Sequence, residues 1–299
     1  MNRHDLAGTA LAALAALAGQ SWGAPITFNT ALPVRDGGYV LREQLTYMKS
    51  TDAPSSMHRQ MEASGLVTVL GYGVSRDFTL FGLLPWFDKR LQMPEDSQEN
   101  TRRTAGVGDL TLLGRYTVYE DNGPGRTLRL APFLGVKAPT GAHNARDHVG
   151  PLPRRLLPGS GSWDTLGGAV FTYQTPALEF DSQLSFQANR DADGFRAGHA
   201  AEVDASLQYR LWPQKLGAGV PDFLYGVLES SLVHAANDRA NGNDDPNSGG
   251  NTLSIAPGLQ YVTRKWIAEA GVRIPARQHL NGTALRSDYI VSTGLRINF

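Results

Sequence analysis

The chain has 299 residues, no cysteine, and 28 basic against 28 acidic residues, for a formal net charge of zero. That balance speaks against a nucleic-acid or acidic-polymer footprint, which needs a basic excess. The lack of cysteine excludes thiolate catalysis and cysteine metal sites.

Asn2-Arg3-His4 precedes an apolar run from Leu6 to Gly19, and Ser21-Trp22-Gly23-Ala24-Pro25 follows it. A basic start, an apolar stretch too short for a bilayer core of about 30 Å and small residues beyond it predict a secretory signal peptide. The expected cut falls after Gly23, giving a leader 1–23 and a single domain 24–299; a cut after Ala18 is the alternative. Beyond the leader no apolar run approaches the ~20 residues that a membrane helix needs.

Ala24 to Asp36, with Pro25 and Pro33, reads as a short periplasmic arm. The first strand is Gly38 to Lys49, with Tyr39, Leu41, Leu45 and Tyr47 on one face, Arg42, Gln44 and Thr46 on the other, and Glu43 on the wrong side. Ser50 to His58 is turn-rich, and a second strand with blurred alternation spans Gln60 to Tyr72. The third, Asp77 to Asp88, is apolar on both faces from Phe78 to Phe87, which predicts packing on its inward side as well. Lys89 to Thr104 is polar and reads as a loop. Strand four runs from Gly108 to Tyr119, with Asp109, Thr111, Arg115 and Thr117 inward, and Glu120 to Gly125 is a tight turn by its residues. Strand five, Thr127 to Ala138, sets Arg129, Ala131, Phe133 and Lys137 against Leu128, Leu130, Leu134 and Val136. A long Gly/Pro/Arg-rich loop reaches Trp163, and strand six spans about Thr165 to Gln174.

The clearest pattern follows in residues 178–211. Leu178, Phe180, Leu184 and Phe186 alternate with Glu179, Asp181, Gln183 and Ser185, and only Ser182 breaks the alternation. After Asp191-Ala192-Asp193-Gly194, Val203, Ala205, Leu207, Tyr209 and Leu211 alternate with Glu202, Asp204, Ser206, Gln208 and Arg210. Successive side chains of a strand point to opposite sides of a sheet, so each strand of this hairpin has one apolar and one charged face. Strand nine runs from about Asp222 to His234, Asn237 to Gly250 is a loop, and strand ten is Thr252 to Val262. Strand eleven, Lys265 to Ile274, turns Glu269, Gly271 and Arg273 inward, and a loop through Asn281-Gly282 precedes the last strand. There Tyr289, Val291, Thr293, Leu295, Ile297 and Phe299 alternate with polar residues that include Arg296.

A two-faced strand fits a soluble sandwich or an outer-membrane barrel, in which the apolar face meets lipid and the polar face a lumen. The leader favours the barrel. The last strand, ending on Phe299, resembles the final strand of bacterial outer-membrane barrels, which their assembly machinery reads. The expectation is an all-β, transmembrane antiparallel barrel of twelve strands, in contact with outer-membrane lipid. Long spacers after strands three, five, nine and eleven and short ones after two, four, six and ten keep both chain ends in the periplasm, although the loop after strand seven is shorter and the turn after strand eight longer than that alternation wants. Aromatics at strand ends, among them Tyr39, Trp86, Tyr119, Trp212 and Trp266, fit interfacial girdles.

The expected pore-lining charges are Arg42, Asp109, Arg115, Arg129, Lys137, Glu179, Asp181, Glu202, Asp204, Arg210, Glu269, Arg273 and Arg296. Charged rings set the selectivity of a pore, but a narrow lumen can equally be filled by interlocked ion pairs. Seven basic against six acidic residues predict no strong ion preference. The acidic Glu179, Asp181, Glu202 and Asp204 could face Arg115, Arg129 and Lys137 across the bore.

Gly106-Val107-Gly108-Asp109-Leu110 opens one strand, Lys137-Ala138-Pro139-Thr140-Gly141 closes another, and Leu157-Pro158-Gly159-Ser160-Gly161-Ser162-Trp163-Asp164 leads into the next. In this order they resemble the outer-membrane transporter family named for the meta-cleavage pathway of phenol degradation. The resemblance covers nearly all of the mature chain and implies a barrel that passes small organic solutes, aromatic ones included. It supplies no catalytic residues. Gly159-Ser160-Gly161-Ser162 is not the nucleophile elbow of hydrolases, and Ser230, Ser231 and His234 share a strand at ordinary spacing. His58, His143, His148 and His279, with Met57 and Met93, show no metal-motif spacing, and Asn241 to Asn251 lacks the ordered spacing and Glu of a calcium loop. No cofactor, metal or catalytic residue is therefore expected. The expected function is passive transfer of small organic solutes across the outer membrane; a non-conducting surface barrel and an outer-membrane hydrolase are the alternatives.

Overall fold

The computed structural model describes residues 24–51, 59–93, 101–215 and 222–299. The expected leader lies outside the described residues, as do Met57 and His58. Twelve long strands among the described residues close into one antiparallel barrel: β1 (Tyr39–Thr51), β2 (Gln60–Gly73), β3 (Phe78–Gln92), β4, β5 (Arg126–Ala138), β6 (Asp164–Gln174), β7 (Leu178–Ala188), β8 (Ala200–Trp212), β9 (Phe223–Ala235), β10 (Gly250–Val262), β11 (Trp266–Leu280) and β12 (Arg286–Asn298). Strand β4 has two parts, Thr101–Val107 and Leu110–Tyr116. Neighbours in sequence pair in order, and β1 pairs β12 from Val40↔Asn298 to Thr51↔Arg286, which closes the ring. Closure leaves no unpaired edge, the condition for a sheet to cross lipid.

The alternation read from the sequence decides which side faces lipid. On β7 and β8, Glu179, Asp181, Gln183, Ser185, Glu202, Asp204 and Gln208 are buried, while Phe180, Leu184, Phe186, Val203, Leu207 and Tyr209 are exposed. The single break, Ser182, faces outward and donates its hydroxyl to the Asp204 carbonyl (3.0 Å), which satisfies it without water. Glu43, on the outward side of β1, accepts from Thr68 Oγ1 at 2.8 Å in the same way. Asp193 and Gly194 both have positive φ between Ala192 and Phe195, as a two-residue hairpin turn requires.

Four expectations are corrected. Lys89 to Thr104 is not all loop: β3 runs to Gln92 and β4 starts at Thr101. Above the lipid both faces of a hairpin can be polar, so its residues look like loop while pairing as strand, as the exposed Arg103 and Asp88 do. Strand four does not run unbroken from Gly108 to Tyr119, since Gly108 and Asp109 interrupt it and Tyr119–Gly123 forms a short strand folding back on β5. For the reason given for β3, β11 continues to Leu280, so the spacers after strands three and eleven are shorter than expected. Lastly, Ala24 to Asp36 is not a periplasmic arm. It lies inside the barrel, with Ala24, Ile26, Phe28, Ala31, Leu32 and Val34 buried.

Candidate functional site

The arm leaves the wall where β2 ends. Gly37 donates to the Gly73 carbonyl (2.9 Å) and Gly73 to the Gly38 carbonyl (3.0 Å). A Cβ on Gly73 would stand 2.1 Å from the Arg35 carbonyl oxygen, so only glycine admits the arm so close. From there it crosses the bore in the half that carries the short turns, which is the periplasmic half. Two prolines and no ladder partner leave its backbone groups to be satisfied by the wall, because irregular backbone inside a barrel has no other source of partners.

The wall supplies them in order. Val34 N donates to Thr79 Oγ1 (3.3 Å), Ala31 N to Thr172 Oγ1 (2.7 Å) and Ile26 N to Glu229 Oε1 (2.6 Å). Ala24 N donates to Gln260 Oε1 (3.0 Å), and the same amide returns a bond to the Ala24 carbonyl. Asn29 Nδ2 donates to Gln183 Oε1 at 3.0 Å. Arg115 Nη2 donates to the Leu32 carbonyl (2.5 Å) while Nη1 takes that of Thr30, and Arg42 and Gln44 both reach the Ile26 carbonyl. Bonds to charged groups contribute roughly 1.5–3 kcal/mol each. The arm's apolar side joins Val67, Phe81, Leu83, Leu113, Phe133 and Leu166 through Ala31 and Val34. This is the inward packing that the doubly apolar third strand predicts.

Twelve of the thirteen charges singled out from the sequence lie on the inward face of their strands, Asp109 is buried at the break in β4, and the arrangement is compact. Arg42 pairs with Glu269, which also lies 3.6 Å from Arg296, and Arg273 stands 3.9 Å from Glu202. The acidic hairpin residues make no ion-pair contact with Arg115, Arg129 or Lys137 among the described residues. Arg115 is held by the arm's carbonyls, Arg129 pairs with Glu120 (2.8 Å), and Lys137 with Asp164 (2.6 Å) and Asp109 (3.4 Å). Glu179, Asp181 and Asp204 have no ion pair among the described residues, and Arg210 bonds the Pro176 carbonyl (2.7 Å). Sequence reasoning missed Glu229 and the arm itself. Phe223, Tyr225 and Val227 precede Glu229 on the same inward face, so β9 shows no polar face from which its direction could be read.

The three Gly/Pro motifs meet at Asp109, where β4 breaks. Its carboxylate accepts from Gly141 N (3.0 Å) and from Ser160 N (2.8 Å) and Oγ (2.6 Å). Gly141 and Gly159 cross so closely that a Cβ on Gly159 would stand 2.4 Å from the Gly141 backbone. Lys137 Nζ donates to Ser160 Oγ at 2.9 Å and pairs with Asp164 and Asp109, so it stands at that hydroxyl as a donor. Ser230 and His234 lie exposed on the outer wall, away from the lumen.

Pinned at Asp109, the loop 139–163 folds over the extracellular mouth. Leu152, Leu156 and Leu157 pack on Leu91. Arg155 pairs with Asp238 and Arg154 with Asp193 (3.4 Å), tying it to the two neighbouring loops. Arg102 clamps Asp147 (2.6 Å), and this hydrogen-bonded guanidinium holds the Asp147 carboxyl below its ordinary pKa. Between this roof and the upper wall lies a cavity of about 310 Å³. Its lining mixes apolar side chains such as Met48, Met61, Val67 and Phe87 with Lys89, Lys137, Asp109 and Asp164. Val67, Leu83, Leu113 and Leu166 belong both to this lining and to the cluster that packs on the arm, so the arm lies next to the cavity's lower wall.

The model of the family described as MetA-pathway of phenol degradation matches residues 37–286. None of the curated proteins matches the chain. Among solved structures, the COG4313 outer membrane channel from Pseudomonas putida F1 is similar at a TM-score of 0.67 and 15% identity, over 90% of this chain and 98% of that one. The beta domain of the Bordetella autotransporter BrkA gives 0.49 at 12% identity, over 88% and 100%. Likeness at these identities concerns the fold.

Proposed function

The chain belongs to the MetA-pathway of phenol degradation family, whose model spans residues 37–286, and from that premise we propose that it is an outer-membrane channel for small organic solutes, aromatic ones among them. The observation that carries this reading is the cavity of about 310 Å³ inside the barrel, apolar on much of its surface, with a segment beside its lower wall that is held through side-chain hydrogen bonds rather than by a ladder. Such a segment can leave without unzipping the wall. Small-molecule sites have this concave, largely apolar character with a few placed polar groups. A solute collected under the roof would pass when the arm shifts, and the charges it releases, Arg42, Arg115 and Glu229 first, would then line the path.

A leader cut after Gly23 fits this reading, since Ala24 would then begin the mature chain inside the bore at Gln260. The exposed Phe299 at the end of β12 is the group offered to the assembly machinery. No step of this reading needs a catalytic residue or a cofactor.

Planar-bilayer recording of the refolded mature protein tests the reading, with and without residues 24–34. The expected result is small or rare steps from the intact chain and large, steady steps from the deletion. Silence from a folded deletion variant would favour the non-conducting surface barrel, which the arm across the bore otherwise recommends.

A further inference from the structure

We propose that the extracellular cavity is a binding site for organic acids of single-ring size, and that Lys89 receives their carboxylate. The proposal rests on the channel reading and names the solute class that the cavity selects.

The charges lining the cavity are Lys89, Lys137, Arg154, Arg155 and Arg190 against Asp109 and Asp164. Both carboxylates are committed: Asp164 to Lys137 and to the backbone N–H of Arg190 (2.8 Å), Asp109 to Lys137, Ser160 and Gly141. Arg154 and Arg155 are taken by Asp193 and Asp238, neither of which lines the cavity. Lys89 is different. Its ammonium has no carboxylate within ion-pair distance among the described residues, and it donates only to the Arg155 and Leu157 carbonyls, at 3.2 and 2.9 Å. It stands 4.9 Å over the Phe87 ring. An ammonium has three donors, so one remains.

A partly buried cation without a counter-charge is costly, and a charge-assisted bond to a carboxylate relieves that cost. A neutral solute would leave Lys89 unrelieved. A cationic one would meet a lining with five basic and two acidic side chains. Beside the ammonium, on its own strand and the two next to it, Met48, Met61, Val67 and Leu83 offer an apolar surface for the body of the solute. A volume of about 310 Å³ is at the low end for small-molecule sites, which suits one ring with a short side arm and excludes a long chain.

The test is isothermal titration of the refolded, detergent-solubilised full mature chain with benzoate, and with benzyl alcohol and benzylammonium as neutral and cationic counterparts. Benzoate is expected to bind at least ~10-fold tighter than benzyl alcohol, with benzylammonium weakest and added salt weakening benzoate alone. Lys89→Gln should bring benzoate down to the alcohol's affinity and leave the alcohol unchanged, while Lys89→Arg should keep the preference for the acid. Equal affinities for acid and alcohol, no binding of either, or an acid preference that survives Lys89→Gln in a folded variant would each overturn the proposal. The bilayer recording of the arm deletion is independent of Lys89, so large steps there together with a failed titration remove the solute class and keep the channel. Should Lys89→Gln not fold, the wild-type ranking of the three probes and its salt dependence still decide.

Discussion

Asp109 shows how much one side chain can organise. The two ends of the loop 139–163 bring Gly141 and Ser160 to its carboxylate, and the strand that carries it gives up its ladder there. Asp147 does the same on a smaller scale above the membrane. The Arg102 guanidinium holds its carboxyl below the ordinary value, helped by the backbone N–H groups of Val149 and Gly150. A carboxyl with a lowered folded pKa gives stability that is present above its unfolded pKa, about 3.9, and lost as pH falls through the folded one. The clamp is therefore expected to hold from neutral pH down to about pH 4 and to release below it. Amide exchange at Val149 and Gly150, followed from pH 7 to pH 3 at matched intrinsic rate, should accelerate only at the acid end; a release near pH 6 would contradict the assignment.

At the scale of the element, the arm and the β7–β8 hairpin follow opposite rules. The hairpin is specified by alternation, and its two faces meet two different solvents. The arm has no period at all, and its position is specified by the wall. Gly73 is where the two meet, and Gly73→Ala would put a methyl against the Arg35 carbonyl. Because the wall around Gly73 is otherwise ordinary ladder, this substitution is expected to displace the arm and keep the barrel. Its conductance should rise toward that of the 24–34 deletion, and a wild-type trace would show that Gly73 does not seat the arm. Doubly apolar β3 announced in the sequence that something packs inside, and Phe81 and Leu83 do meet Ala31 and Val34. What packs there could not be read, since Ala24 to Asp36 has the composition of any short linker.

For the whole molecule, the outer surface carries the membrane claim. Leu134 is 72% exposed and Leu184 58%, values that would be a liability in water and are appropriate to lipid. Leu184→Arg, near the middle of β7, is expected to cost about 2–4 kcal/mol in unfolding from lipid vesicles, and the same change at an exposed residue of the loops about nothing. Equal costs at the two places would mean that the band is not embedded. The strand count and the closed barrel were legible, because a period of two is a local property that each strand carries by itself. The extended hairpins above the lipid were not, because outside the membrane polarity ceases to distinguish strand from loop.

By itself the sequence determined the class of solvent on each side of the sheet, and with it the barrel, since burying one face of every strand in lipid leaves closure as the way to satisfy all backbone groups. Only the tertiary structure decided what fills the bore. Which carbonyl Arg115 takes, that Lys137 answers to Asp164 rather than to the acidic hairpin, and that Lys89 is left without a counter-charge depend on distances between residues far apart in the chain. Those distances are set by ring closure and by the path of the arm, and neither leaves a periodic trace in the order of the amino acids.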